Sequence, residues 1–200
     1  MPHDRRVLPR EFYLRDALRL ARALLGKELR HEAPGGVVSA RIVEVEAYRG
    51  PADRAAHSSG GRRTARNEVM YGPGGHVYVY FIYGMHFCMN VVASVAGRPE
   101  AVLLRAAEPL AGIELMRARR PGIREARLLA GPGNLCRALG VDRRLNGTDL
   151  TAGPLVLLDA PAVPARRIAR GARIGVDYAG EHAALPWRLW IDGHPSVSRT

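Results

Sequence analysis

The chain is predicted to fold as an α+β protein: a single compact mixed domain with a largely antiparallel, curved β-sheet flanked by helices. Three observations predict it. Strand patterns succeed one another without regular strand–helix–strand alternation, which argues against a parallel sheet. Two hundred residues with 47% hydrophobic content are enough for one well-filled core. No internal repeat and no linker divides the chain, so one domain is expected over residues 1–200.

Each element follows from a local pattern. In EFYLRDALRLARALLG, apolar residues recur at Leu14, Ala17, Leu18, Ala21, Leu24 and Leu25. That stripe predicts a helix, with Gly26 as its C-cap. Val37 to Tyr48 is rich in β-branched residues and predicts a strand. Gly50 to Gly75 predicts a long loop, with a short structured piece near Asn67 to Tyr71. A loop of that length inside a compact domain is usually functional or disordered. HVYVYFIYG, His76 to Gly84, carries the strongest strand pattern, and Met85 to Ser94 is its expected partner. Glu100 to Pro109 predicts a further strand, stopped by Pro109. Helices are expected at Gly112 to Arg120 and Asn134 to Leu139. Pro154 to Asp159 predicts a late strand, and ARIGVDYAG is a candidate for one more.

Charge narrows the partners. Thirty Lys and Arg face 19 Asp and Glu, a net charge of +11. The surplus favours a polyanion, nucleic acid before an anionic membrane surface. Almost all the basic residues are arginine; Lys27 is the one lysine. No apolar run approaches the roughly 18 residues needed to span a membrane. MPHDRRVLPR lacks the apolar core of a signal peptide. Cys88 and Cys136 are too few for a disulfide framework or a cysteine-based zinc site. A reducing cytoplasm is the expected compartment.

Several clusters carry candidate chemistry. RIVEVEAY places Glu44 and Glu46 two positions apart in a strand, on one face and about 7 Å apart. A buried carboxylate is costly unless it is paired or hydrogen-bonded. Tyr71, Tyr78, Tyr80, Phe81, Tyr83 and Phe87 crowd into one short stretch, and Tyr48 joins them from the Glu strand. Tyrosines on a basic protein can stack nucleic-acid bases, although Tyr78 and Phe81 read better as sheet core. Tyr83 stands at a strand end before Gly84-Met85, where an aromatic side chain can protrude as a wedge. Ser58, Ser59, Gly60, Gly61, Arg62, Arg63, Thr64, Arg66 and Asn67 supply phosphate-contact chemistry of a generic kind. Gly131-Pro132-Gly133-Asn134 is a second candidate anion site ahead of a helix. His57 with Glu46 or His76 is a weak candidate for a metal set; a planar or hydrogen-bonding role suits His57 better.

These stretches also carry a resemblance. RIVEVEAYRGPADRAAHSSGGRRTARN, VYVYFIYGMHFCMNVV and AVLLRAAEPLAG resemble, in order, the alkyladenine (3-methyladenine) DNA glycosylase family. GPGNLCRALG and RIGVDYAGEHAALPWRLWI are similar to its later blocks. The likeness runs from near Leu8 to the C-terminal PSVSR. It implies one mixed α/β domain with a positive DNA-binding face. It further implies minor-groove binding of duplex DNA, flipping of a damaged purine into a pocket, and hydrolysis of its N-glycosidic bond. By this resemblance Glu46 is the general base that activates water. Tyr48, His57 and Tyr80 line the pocket and sandwich the base, and Tyr83 fills the gap left in the duplex. Asn90 excludes guanine by clashing with its 2-amino group. Arg105 helps to hold the catalytic water or the flipped nucleotide's phosphate. Met85, Arg62, Gly133 and Asn134 are expected DNA contacts. No cofactor and no metal are implied. Asn134 stands where a basic residue is common, and His86 occupies a variable position beside the wedge.

The chemistry suits these residue types. An alkylated purine such as 3-methyladenine or 7-methylguanine is cationic and leaves readily; electron-rich rings hold a flat cation. One carboxylate stabilises the oxocarbenium-like sugar and takes a proton from water. Flipping is least costly for a damaged base, which itself selects lesions. Strand cleavage by a glycosylase needs an amine, and only Lys27 and the terminal amine are present, so a monofunctional enzyme is expected. Glu44 is expected to be a structural acid paired with an arginine, in preference to a two-carboxylate mechanism. A non-catalytic DNA-binding module and a metal-dependent phosphodiesterase are the alternatives. A monomer, associated with the nucleoid and acting on double-stranded DNA that contains damaged purines, completes the expectation.

Overall fold

A computed structural model describes residues 6–198. Met1 to Arg5 of the leading stretch and Arg199 of PSVSR lie outside that range. In chain order the helices are α1 (Arg10–Tyr13), α2 (Ala17–Leu24), α3 (Ile113–Arg119) and α4 (Pro132–Leu139). The strands are β1 (Glu28–Ala33), β2 (Gly36–Tyr48), β3 (Val77–Ile82), β4 (His86–Ala93), β5 (Glu100–Ala111), β6 (Leu155–Leu158), β7 (Ile168–Gly171) and β8 (Arg188–Ile191). Short 3₁₀ turns fill the connections. The strands join in one curled, wholly antiparallel sheet in the order β3-β4-β5-β2-β1-β6. The expected α+β class and the single compact domain are both observed.

β2 is the organising strand. β5 runs along one of its edges. On the other edge β1 takes its first half and β8 its second, with β7 outside β8. Period-two alternation then sorts side chains between two faces. Val43, Val45, Val77, Val79, Met89, Val91, Val102 and Leu104 enter the main core. There α2 packs on β2 and β5, and α4 on β4 and β5. Their neighbours Glu44, Glu46, Tyr78, Tyr80, Asn90 and Arg105 point to the opposite face. Two small satellite clusters lie on that side, one around Met70, Tyr78 and Val92 and one around Ala55, Val176 and Ala179.

Four sequence expectations change. The single N-terminal helix is two, because the Asp16 carboxylate accepts the amides of Leu18 and Arg19 at 3.1 and 3.0 Å and caps α2. Leu14, counted in the apolar stripe, falls in the break and is 41% exposed. Pro109 does not stop β5: it pairs with Ala40 beside a register shift, where a missing N–H is tolerated. Residues 172–180 form no strand; Arg173 and Ile174 turn toward the site instead, and β7 lies just before them. Finally, β1, β7 and β8 were not anticipated, since their short mixed-polarity runs carry no clear period.

Candidate active site

The polar face of the sheet opens into a cavity of about 560 Å³. Its floor comes from alternate residues of β2 to β5. Its rim comes from the loop at Ala55 and His57, from residues 174–178, and from the start of α4. Glu46 is wholly buried against this floor. Its Oε1 accepts the Ile174 amide at 2.8 Å and lies 3.2 Å from Arg105 Nη1. Its Oε2 accepts the Tyr48 hydroxyl at 3.0 Å. Burial pushes the Glu46 pKa up; Arg105, the Ile174 amide and the Tyr48 hydroxyl only partly offset it.

Glu44 reaches the same arginine from below. It accepts from Arg105 Nε (3.2 Å), Arg188 Nη1 (3.0 Å), the Ser198 amide (2.7 Å) and the Ser198 hydroxyl (3.0 Å). The expected arginine partner of Glu44 is thus present twice over. Arg105 spans both acids and is itself buried, so its guanidinium is aimed at carboxylates and not at solvent.

Aromatic rings line the walls. Burial, then the Glu46 charge, raises the Tyr48 hydroxyl well above its ordinary value, so it stays a donor. Tyr80 is raised in the same way, by burial first and then by Cys88. His57 Nδ1 lies 2.8 Å from the Tyr78 hydroxyl, and its ring meets Tyr80 edge-on at 4.6 Å. Burial, followed by Arg66 and Arg62, lowers the His57 pKa to about 4, which keeps the ring neutral. Asn90 is buried on β4 and donates to the Tyr78 carbonyl at 3.1 Å, which fixes its amide in the wall.

The mouth is built differently. β3 and β4 are joined by Tyr83-Gly84-Met85, with Tyr83 at φ 54° and Gly84 at φ 66°. Positive φ at two central residues is the type I′ requirement, and a tyrosine there is strained. Tyr83 is nonetheless 77% exposed and Met85 69%. His86, the next residue, packs on Gly133 so closely that a Cβ there would lie 2.9 Å from its ring. Gly133 therefore seats the hairpin on α4. Asn134 directs its amide nitrogen to the Ala130 carbonyl at 2.7 Å. Arg62 is exposed, on a loop that Asn67 fastens by donating to the carbonyls of His57 and Arg62.

Tyr48, His57, Tyr80, Asn90 and Arg105 thus line one cavity together with Tyr83, Gly133 and Asn134, and Glu46 sits behind that lining, bonded to Tyr48, Arg105 and Ile174. Met85 faces a neighbouring cleft, and Arg62 stands outside both linings. His76 belongs elsewhere: its Nδ1 lies 2.9 Å from the Pro73 carbonyl. Among the described residues no three His, Cys, Asp or Glu come together as a metal set. Sequence reasoning missed Arg173 and Asp53. Arg173 is buried, binds both Asp53 oxygens at 2.6 and 2.8 Å, and lies 4.7 Å from the Tyr48 ring centre. Burial pushes Asp53 up, but Arg173 and the amides of Arg49 and Ala55 together hold it below its ordinary value. The Asx-type turn in GPADRA was a readable signal for Asp53; nothing local marks its partner.

With this geometry in place, comparison with known proteins is decisive. The family profile described as Methylpurine-DNA glycosylase (MPG) matches residues 11–195. The chain belongs to the methylpurine-DNA glycosylase family. A protein of Methanocella arvoryzae is 52% identical over 195 residues, covering 96% of each chain. One from Desulfitobacterium hafniense is 50% identical, over 96% of this chain and 98% of its own. One from Streptomyces avermitilis is 51% identical, over 98% and 92%. All three carry the name "Putative 3-methyladenine DNA glycosylase". Membership of the methylpurine-DNA glycosylase family makes the chain a DNA N-glycosylase, a hydrolase of DNA repair with DNA as its substrate. No helix among the described residues is long and apolar enough to cross a membrane.

Proposed function

We propose that the enzyme flips alkylated purines of the 3-methyladenine and 7-methylguanine type out of duplex DNA. It then hydrolyses the N-glycosidic bond with a water activated by Glu46 and leaves an abasic site. The observation that carries this reading is Glu46: a buried carboxylate oriented by three donors, Tyr48, Arg105 and Ile174, that all line the cavity, with its pKa raised by burial.

The other residues take roles that fit their settings. Tyr48, His57 and Tyr80 hold the flipped purine between electron-rich or neutral rings. A protonated histidine would repel a cationic base, and burial keeps His57 neutral. Asn90, pinned to the Tyr78 carbonyl, cannot swing aside and so disfavours the 2-amino group of unmodified guanine; 7-methylguanine carries that group too, and its cationic ring compensates by leaving readily. Arg105 lies between Glu44 and Glu46, which favours water-holding over a phosphate contact. As the C–N bond opens, Glu46 stabilises the positive sugar, then accepts the water's proton as the new C–O bond forms. The purine departs with the bonding electron pair; a methylated purine leaves neutral.

Outside the cavity, Tyr83 and Met85 enter the duplex from the minor groove. Arg62 and the first-turn amides of α4 at Gly133 and Asn134 contact the backbone. Lys27 is buried and bonded to Asp159 at 2.7 Å, away from the cavity, which supports a monofunctional enzyme. The reading is completed by a monomer working at the nucleoid in the cytoplasm.

The test compares wild type with Glu46→Gln on methylated duplex DNA without added metal, scoring free base, alkali-labile sites and binding. Base release by wild type, with binding but no release by the variant, is expected. Binding by both with release by neither would replace the enzyme with a binding module. Borohydride trapping of a covalent adduct would overturn monofunctionality.

A further inference from the structure

A second exposed aromatic stands at the mouth of the cavity. Tyr178 lines it, yet is 73% exposed. It comes from the segment after Ile174, a different element from the Tyr83 hairpin. Both rings line the same cavity. One exposed ring is ordinary, but Tyr178 and Tyr83 put two exposed rings on the lining of one cavity.

The segment that displays it is firmly held. On either side of Tyr178, Val176 and Ala179 are buried with Ala55 and Tyr48. The Ala179 amide donates to the Val176 carbonyl at 2.8 Å. Arg173 ties the base of the segment to Asp53 and donates to the His182 carbonyl at 3.3 Å. The Tyr178 hydroxyl itself donates to the Ala55 carbonyl at 3.3 Å. The ring is therefore preorganised, and little rotamer freedom remains to be lost on binding. Its neighbour Asp177 is an exposed carboxylate on the same rim. A carboxylate repels phosphate, so this lip is built for the uncharged face of a sugar or base and not for the backbone anion.

Resting on the glycosylase reading above, we propose that Tyr178 is a second DNA-contacting aromatic. Its ring packs on the sugar and base of the nucleotide next to the flipped one, while Tyr83 occupies the vacated stack. The two residues together make recognition depend on a distorted duplex.

The test measures binding of wild type, Tyr178→Ala and Tyr178→Phe to a duplex with one tetrahydrofuran abasic analogue and to the undamaged duplex. Thermal stability and base release from methylated DNA are measured alongside. Tyr178→Ala is expected to bind the abasic duplex about 10-fold more weakly, the scale of one lost base–aromatic stack. Undamaged binding and melting temperature stay within error, and Tyr178→Phe stays close to wild type. Unchanged abasic-duplex affinity in Tyr178→Ala overturns the inference. So does an equal loss on both duplexes, or a loss that tracks a lowered melting temperature. If wild type releases no methylated purine, it is the glycosylase reading that falls; if it does and Tyr178→Ala binds as wild type, only the role of Tyr178 falls.

Discussion

Glu44 and Glu46 stand two residues apart on β2, share a face, are equally buried and share Arg105. They nevertheless belong to different regions of the molecule. Glu44 lies in a closed ionic floor, where two guanidinium groups and both polar groups of Ser198 meet its oxygens. Glu46 lies directly behind the cavity wall, with one shared guanidinium, one amide and one hydroxyl. Burial is the same, but positive charge is divided unevenly, and only Glu46 has all three of these partners on the cavity lining. Burial raises the Glu46 pKa, and these three donors offset it only in part. A buried acid with full compensation holds a fold together; one left short of charge can take a proton.

Replacing each acid by its amide separates the two regions. Glu46→Gln is expected to lower single-turnover base release about 10²–10⁴-fold, the range for losing a general base, with DNA binding retained. Glu44→Gln is expected to act on stability, removing about 3–5 kcal/mol, because Arg105 and Arg188 lose their shared counter-ion. Chemical denaturation of both variants checks the division. Loss of chemistry in a fully stable Glu44→Gln would show that the floor takes part in the reaction.

The mouth answers to a third rule. Tyr83 holds a backbone conformation suited to glycine, and the strain has no visible return within the free protein. Tyr83→Gly is expected to raise stability by about 1 kcal/mol. The same change should weaken binding to lesion-bearing duplex while leaving release from methylated single strands near wild type. A stability loss would mean that the exposed ring has a packing role the structure does not reveal.

How much of this was legible follows the range of each interaction. HVYVYFIYG announces both faces of its strand, since Val77 and Val79 enter the core while Tyr78 and Tyr80 reach the pocket side. EVEAY does the same for Glu46 and Tyr48. Local periodicity carries such facts, and the family resemblance attached chemistry to them. Interactions that close over long separations left no local trace. Arg173 meets Asp53 across 120 residues, and Ser198 meets Glu44 across 154. The 172–180 run looked like a strand because its composition suits one. Its backbone is diverted to the site, where the Ile174 amide serves Glu46. Asp16 is an N-cap residue type inside the apolar stripe, and its bonds to the Leu18 and Arg19 amides split that stripe into two helices.

The smallest expected effect is also the sharpest on the division between the acids. A general base must be ionised, so single-turnover release should fall as pH drops through the Glu46 pKa, and burial places that limb above the ordinary value of 4.5. His57, held near 4, stays neutral above pH 5 and adds no step around neutrality. The Tyr48 and Tyr80 hydroxyls, raised by burial, keep their protons well into the alkaline range. One acid limb and a flat plateau are therefore expected, and Glu46→Gln should have no limb in its residual rate. Stability linked to Glu46 runs the opposite way. A carboxyl with a raised folded-state pKa binds more protons folded than unfolded, so its contribution is present at low pH and is lost as pH rises through that pKa. Activity should thus appear over the same pH interval in which this contribution to stability disappears. Denaturation midpoints of wild type and Glu46→Gln across that interval test the link. If their difference does not vary with pH there, the limb belongs to some group other than Glu46.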